Sequence, residues 1–142
     1  MRKVKYLIIH HGEWKDTPEF QTNEVKKDQM QRGYSDIAYD FVIENFAGQY
    51  FAIVGRPLTQ VGGHCKGWNQ VSIGICFLGN FNQAPPPIAM LRYGIEYLII
   101  PLIQIFSIPI KNILGHGEVR DTDCPGKFFN MNQFRSMIQD NR

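Results

Sequence analysis

The chain predicts one α/β domain, with a central mixed β-sheet flanked by helices on its faces. Three observations carry that prediction. Short runs rich in β-branched and aromatic residues recur along the chain, one long segment keeps its apolar residues at helical spacing, and the two kinds of segment follow one another with no internal repeat or linker. The 142 residues fit a single domain over 1–142 with a core of its own. An apolar share of 44% and a charged share of 20% exclude extended disorder. A net charge of +2 is too weak to argue for nucleic acid.

Lys3 to His11 alternates and then runs Leu7-Ile8-Ile9, the pattern of a strand entering a buried sheet position and ending in two histidines. A polar loop follows. Thr22 is the expected cap of a short surface helix through Arg32, anchored by Val25 and Met30 and stopped by Gly33. Ile37–Phe46 and Gln49–Val54 are two β-rich runs around Ala47-Gly48, a hairpin signal. Alternation along the first puts Ile37, Tyr39, Phe41 and Ile43 on one face and Asp40 and Glu44 on the other. After an irregular stretch from Gly55 to Asn69, Val71–Leu78 is a strand whose second face is Ser72, Gly74 and Cys76, so a neighbour must approach closely there. Pro85-Pro86-Pro87 opens a long helix with apolar residues from Ile88 to Ile105, which Pro101 should kink. Ile110–Leu114 is the last expected strand, and Asn132–Gln139 a final helix burying Phe134, Met137 and Ile138.

Cys65, Cys76 and Cys124 are too few, and odd in number, for a disulfide framework. Tyr6 to Ile9 is too short for a signal peptide, and the greasy stretch from Tyr97 to Ile110 is broken by Pro101, Gln104, Ser107 and Pro109. The expectation is a soluble protein made in the cytoplasm without an export signal.

Two features bear chemistry: the histidines closing the first strand, and His116 with Cys124 eight residues further on. Catalytic zinc commonly takes three nitrogen or thiolate ligands and keeps one position open. His10, His116 and Cys124 would make such a set. Taken one at a time, each also reads as an ordinary strand-end histidine or turn cysteine.

The segments LIIHH at 7–11, GYSDIAYDFVI at 33–43, GRP at 55–57, GGHCKGWN at 62–69, VSIGICFLGNF at 71–81 and GHGEVRDTDCPG at 115–126 together resemble the zinc-dependent N-acetylmuramoyl-L-alanine amidases, the group that includes the T-seven-type phage lysozyme and the peptidoglycan recognition proteins. Six blocks in the family's order are a specific signal. The resemblance implies one zinc held by His10, His116 and Cys124, and Tyr39 beside it. His11 would be either a neighbour supporting the ligands or a plain exposed histidine. Tyr39 also reads as an inward-facing core ring. His64, in the glycine-rich segment, flanks the groove in an accessory role. Trp68 and Asn69 read as groove or loop-bracing residues, and Arg56 as a contact for a substrate carboxylate or a structural residue.

The chain departs from the family twice. Thr122 stands where the phage lysozyme branch has a lysine two residues before the metal cysteine, and Asp40 stands where a tyrosine-histidine-phenylalanine run usually has its histidine. Alternation turns Asp40 away from Tyr39, so little catalytic consequence is expected of it. Tyr39 and Thr122 are the candidate donors to a developing oxyanion. Glu118, Asp121 and Asp123 read as loop carboxylates, and Cys65 and Cys76 as structural thiols.

The resemblance implies hydrolysis of the amide between N-acetylmuramic acid and L-alanine in peptidoglycan, as in an endolysin acting on the cell wall after phage-type release, by a monomer without a membrane span. Two other classes stand beside it: a non-catalytic peptidoglycan-binding module, and an amidase that also binds a polymerase.

Overall fold

The structure, a computed structural model, describes residues 2–13 and 21–142. Most of the polar loop expected after His11 lies outside the described residues. Five strands form one mixed sheet in the order β3-β2-β4-β1-β5. β1 (Tyr6–His11) runs parallel to β4 (Ser72–Phe77) on one side and to β5 (Ile113–Gly115) on the other. β2 (Phe41–Phe46) pairs in parallel with β4 and makes an antiparallel hairpin with β3 (Gln49–Val54). The hairpin turns through Ala47 and Gly48, both at positive φ (54° and 80°), the backbone that a two-residue turn between twisted strands requires.

Parallel register sorts the side chains. On one face Leu7 and Ile9 of β1, Ile73, Ile75 and Phe77 of β4, Ile43 of β2 and Ile113 of β5 form the main core. That face is covered by α2 (Ile88–Gly94), α3 (Ile100–Phe106) and α5 (Met131–Asn141), which bring Met90, Leu91, Leu102, Phe134 and Ile138. The helix from Ile88 to Phe106 is long and apolar enough to cross a membrane on length and composition alone, yet its apolar stripe lies in this core. Pro101 has no N–H to offer the preceding turn, and the helix absorbs the loss in a π-helical turn over Ile95–Ile99, where the Ile100 N–H reaches back five residues to the Ile95 carbonyl. The opposite face carries a smaller cluster of Val25, Ile37, Val42, Cys76 and Leu78 under α1 (Thr22–Gln31).

Four expectations need correction. Thr22 is the first helical residue of α1 and Gln21 precedes it; the Thr22 N–H is taken by Glu44 of β2, which fixes it inside the first turn. The strand expected from Ile37 begins at Phe41, because the Ala38 and Tyr39 carbonyls accept from the loop N–H groups of Gly63 and Arg56. Alternation therefore does not run through 37–39: Ile37 and Tyr39 join Val42 and Cys76, away from Phe41 and Ile43, while Asp40 keeps the face opposite Phe41 and is wholly buried there. The last strand is shorter and later, Ile113–Gly115, after one 3-10 turn over Ile110–Asn112.

Candidate metal centre

β1 ends in His10 and His11, and β5 delivers the chain straight into α4 (His116–Val119), so two imidazoles from strands paired side by side meet at one end of the sheet. Their rings lie 4.7 Å apart, centre to centre. The loop after α4 folds back over it: the Gly117 N–H donates to the Cys124 carbonyl at 2.7 Å, and a side chain at Gly117 would strike the Thr122 and Cys124 carbonyls. Thr122 Oγ1 accepts the Cys124 N–H at 3.2 Å. The Cys124–Pro125 bond is cis, and Gly126 lies so close against Phe81 that no side chain fits there.

These elements place ligand atoms of His10, His116 and Cys124 within 4.8 Å of one another. The Cys124 sulfur lies 3.6 Å from His10 Nδ1 and receives the His11 backbone N–H at 3.4 Å. Burial pushes the Cys124 thiol up to about 12. Burial, with His64 and His116 beside it, holds His10 well below the usual imidazole range, and burial with Arg120 lowers His116. The cluster therefore disfavours added protons on nitrogen and holds a sulfur whose negative form needs a cation close by. Two neutral imidazoles and one thiol of this kind suit zinc by donor type and by number.

The centre lies in the floor of a groove of about 540 Å³ lined by Glu13, Asp28, Gln29, Arg32, Tyr34, Tyr39, Gly63 and Thr122 along with the histidines. Tyr39 is half-buried with its ring 5.1 Å from that of His10, and its hydroxyl meets the Cys76 thiol. Desolvation of the hydroxyl, and then the neighbouring Cys76 thiol, push the Tyr39 phenol well above its usual range. His11 is buried rather than exposed: its Nδ1 accepts the Phe81 N–H at 3.1 Å. His64 reaches the groove from beneath, with both ring nitrogens engaged inward, on His10 and Ser72.

Arg56, Trp68 and Asn69 are not among the described lining residues. The Arg56 guanidinium binds the Ile37, Val61 and Asp36 carbonyls. Trp68 stacks edge-on with Tyr6, and Asn69 Oδ1 accepts from the His64 and Cys65 N–H groups. Glu118 is bound by Arg135 and by the Gly115 N–H, which lower its carboxyl, while Asp121 and Asp123 are exposed. Cys65 and Cys76 are buried free thiols. The groove wall that sequence reasoning missed is α1: Val25, Asp28, Gln29 and Arg32 share one helical face, which was a legible signal.

The structure is a central mixed sheet with a His-His-Cys cluster at the carboxyl end of its parallel strands, a metal-centre type of α/β domain, and comparison narrows it. The chain belongs to the N-acetylmuramoyl-L-alanine amidase family, whose model matches residues 1–127. It is 31% identical over 129 residues to peptidoglycan-recognition protein LB of Drosophila melanogaster, an alignment that takes in 85% of this chain and 54% of that protein, so the chain spans about half the relative's length. Its fold matches N-acetylmuramoyl-L-alanine amidase LysC from Clostridium intestinale URNW with a TM-score of 0.83 at 25% identity, over 97% of this chain and 87% of that one. It also matches a variant of Drosophila PGRP-LB in complex with tracheal cytotoxin, with a TM-score of 0.75 at 29% identity over 91% and 79% of the two chains.

Proposed function

We propose that this protein is a zinc-dependent amidase that hydrolyses the bond between the lactyl group of N-acetylmuramic acid and L-alanine in peptidoglycan. The single observation that carries the reading is the convergence of His10, His116 and Cys124 in the floor of an open groove. Zinc, when bound, supplies the Lewis acidity that activates a water and the amide carbonyl. The chain's own part is positional. His10, His116 and Cys124 hold the ion, with the His11 N–H supporting the sulfur. The Thr122 oxygen is anchored by the Cys124 N–H, which leaves its proton to donate into the groove where negative charge develops. Tyr39, on the other side of His10, is the second donor once its hydroxyl turns from Cys76. The likeness to LysC and the presence of Cys124 favour an enzyme over a module that only binds peptidoglycan. Its site of action, in this reading, is the cell wall after phage-type release.

Mass spectrometry of digested sacculi tests the bond. Free stem peptides beginning with L-alanine, with intact glycan strands, are the expected products. New reducing sugar ends without free peptide amines would overturn the assignment.

A further inference from the structure

Behind His10 lies a buried polar chain that metal ligation does not use. His10 Nε2 is 3.0 Å from His64 Nδ1. The other nitrogen of His64, Nε2, lies 3.4 Å from Ser72 Oγ and 3.9 Å from the Asp40 carboxylate. Asp40 is itself fixed: its Oδ2 accepts the Gly74 N–H at 2.8 Å and its Oδ1 accepts from Arg2 at 3.2 Å. The site is built around the His64 ring. A side chain on Gly74 would sit 2.4 Å from that ring, and one on Gly62 would sit 2.8 Å from it. Asn69 holds the His64 backbone N–H at 3.0 Å.

The proton positions follow from donor and acceptor counting. The Ser72 hydroxyl donates to the Trp68 carbonyl at 2.7 Å, so toward His64 it offers only a lone pair. The Asp40 carboxylate also offers lone pairs. One acceptor and a nearby negative charge at His64 Nε2 place the proton there and leave Nδ1 bare. A bare Nδ1 at 3.0 Å accepts from His10 Nε2–H, which leaves His10 Nδ1 bare and facing the Cys124 sulfur. The reverse arrangement would aim the lone pair of His64 Nε2 at a carboxylate and at a committed hydroxyl.

We propose that His64, held by Ser72 and facing the Asp40 carboxylate, is a positioning residue that fixes the tautomer and ring orientation of His10, so that His10 presents Nδ1 to the metal. Asp40, where the chain departs from its family, thereby acts on the centre through His64. The consequence for metal affinity rests on the zinc reading above; the tautomer does not.

Long-range proton–nitrogen NMR of the metal-free full chain reads both rings directly. His10 and His64 are expected to carry their protons on Nε2, and a proton on His10 Nδ1 would overturn the proposal. Zinc affinity, measured by competition with a chromogenic chelator, gives the second arm. His64→Phe keeps a ring but removes the acceptor, and affinity should fall by about 10- to 100-fold, the usual cost of losing a partner behind a metal ligand. His64→Asn is smaller but returns an oxygen near the Nδ1 position, and should recover most of that loss. A folded His64→Phe protein with wild-type affinity, or one that binds better than His64→Asn, would make His64 a packing residue only. A wild-type chain that takes no zinc would defeat the metal reading and leave the tautomers to decide this one.

Discussion

The two faces of the sheet are made by the same strands and behave as opposites. Leu7 and Ile9 look one way and His10 the other; Ile73, Ile75 and Phe77 look one way, Ser72, Gly74 and Cys76 the other. The first face is filled by three helices and aromatic rings in contact, Phe77, Phe129 and Phe134. The second keeps only a small apolar cluster and gives its remaining area to polar side chains fixed by hydrogen bonds. One residue of alternation separates stability from chemistry. Damage to one face should therefore leave the other's property standing.

The largest effect is expected from Cys124→Ser. A neutral hydroxyl is a much weaker zinc ligand than a thiolate, so zinc content and hydrolysis should both be lost while the metal-free fold persists. Elemental analysis and circular dichroism check this together; wild-type zinc in the variant would remove Cys124 from the centre. The opposite break is Phe134→Ala. This side chain is fully buried against Phe77 and Phe129, and truncation should cost about 3–5 kcal/mol in urea unfolding. The fraction still folded should bind zinc as tightly as wild type. Weaker binding in step with stability would mean that the faces are coupled.

Thr122→Val and Tyr39→Phe sharpen the comparison within the polar face. Each deletes a hydroxyl and keeps the shape. If the hydroxyls act on the transition state, kcat should fall about 100- to 1,000-fold, a barrier higher by roughly 2.7–4 kcal/mol, with zinc content unchanged. Near-normal turnover of Tyr39→Phe on a soluble muropeptide would return its ring to the core and its hydroxyl to Cys76.

The smallest effect is a pH dependence at the boundary between the faces. Burial raises the Asp40 carboxyl from 3.8 to about 6. Between these values the folded chain keeps a proton that the unfolded chain has released, so this group lends stability in acid and withdraws it as pH rises through 6. Asp40→Asn cannot titrate. The stability of wild type relative to the variant should therefore decline by on the order of 2–3 kcal/mol from about pH 4 to pH 6, two units of difference in proton affinity. A flat difference in urea titrations across that range would show that Arg2 compensates the carboxylate fully.

Periodicity made the apolar face legible, and the glycine at 74 announced a close neighbour before any neighbour was known; it is the His64 ring. That His10, His116 and Cys124 come together was legible through ordered blocks, since spacing alone left His10 and Cys124 ambiguous. Ile37 and Tyr39 were misread for a physical reason: they lie on the face of Val42 and Asp40, not on that of Phe41 and Ile43. Alternation is a property of paired strand, and the Ala38 and Tyr39 carbonyls are bound instead by Gly63 and Arg56, so parity carried no information before Asp40. Nor does any local pattern tell that Arg2 closes on Asp40, 38 residues away.

The pairing of β1 with β4 and β5 has a consequence for how the molecule is made. His10 and Cys124 are 114 positions apart, and His116 reaches His10 only once β5 has docked beside β1. Closing so long a loop is an entropic cost that precedes any reward from the contact, and parallel pairing has no hairpin to shorten it. An ion arriving early finds its prospective ligands scattered along an open chain. Zinc bound as proposed would therefore lock a sheet that is already complete, whereas in a small finger it seeds the fold.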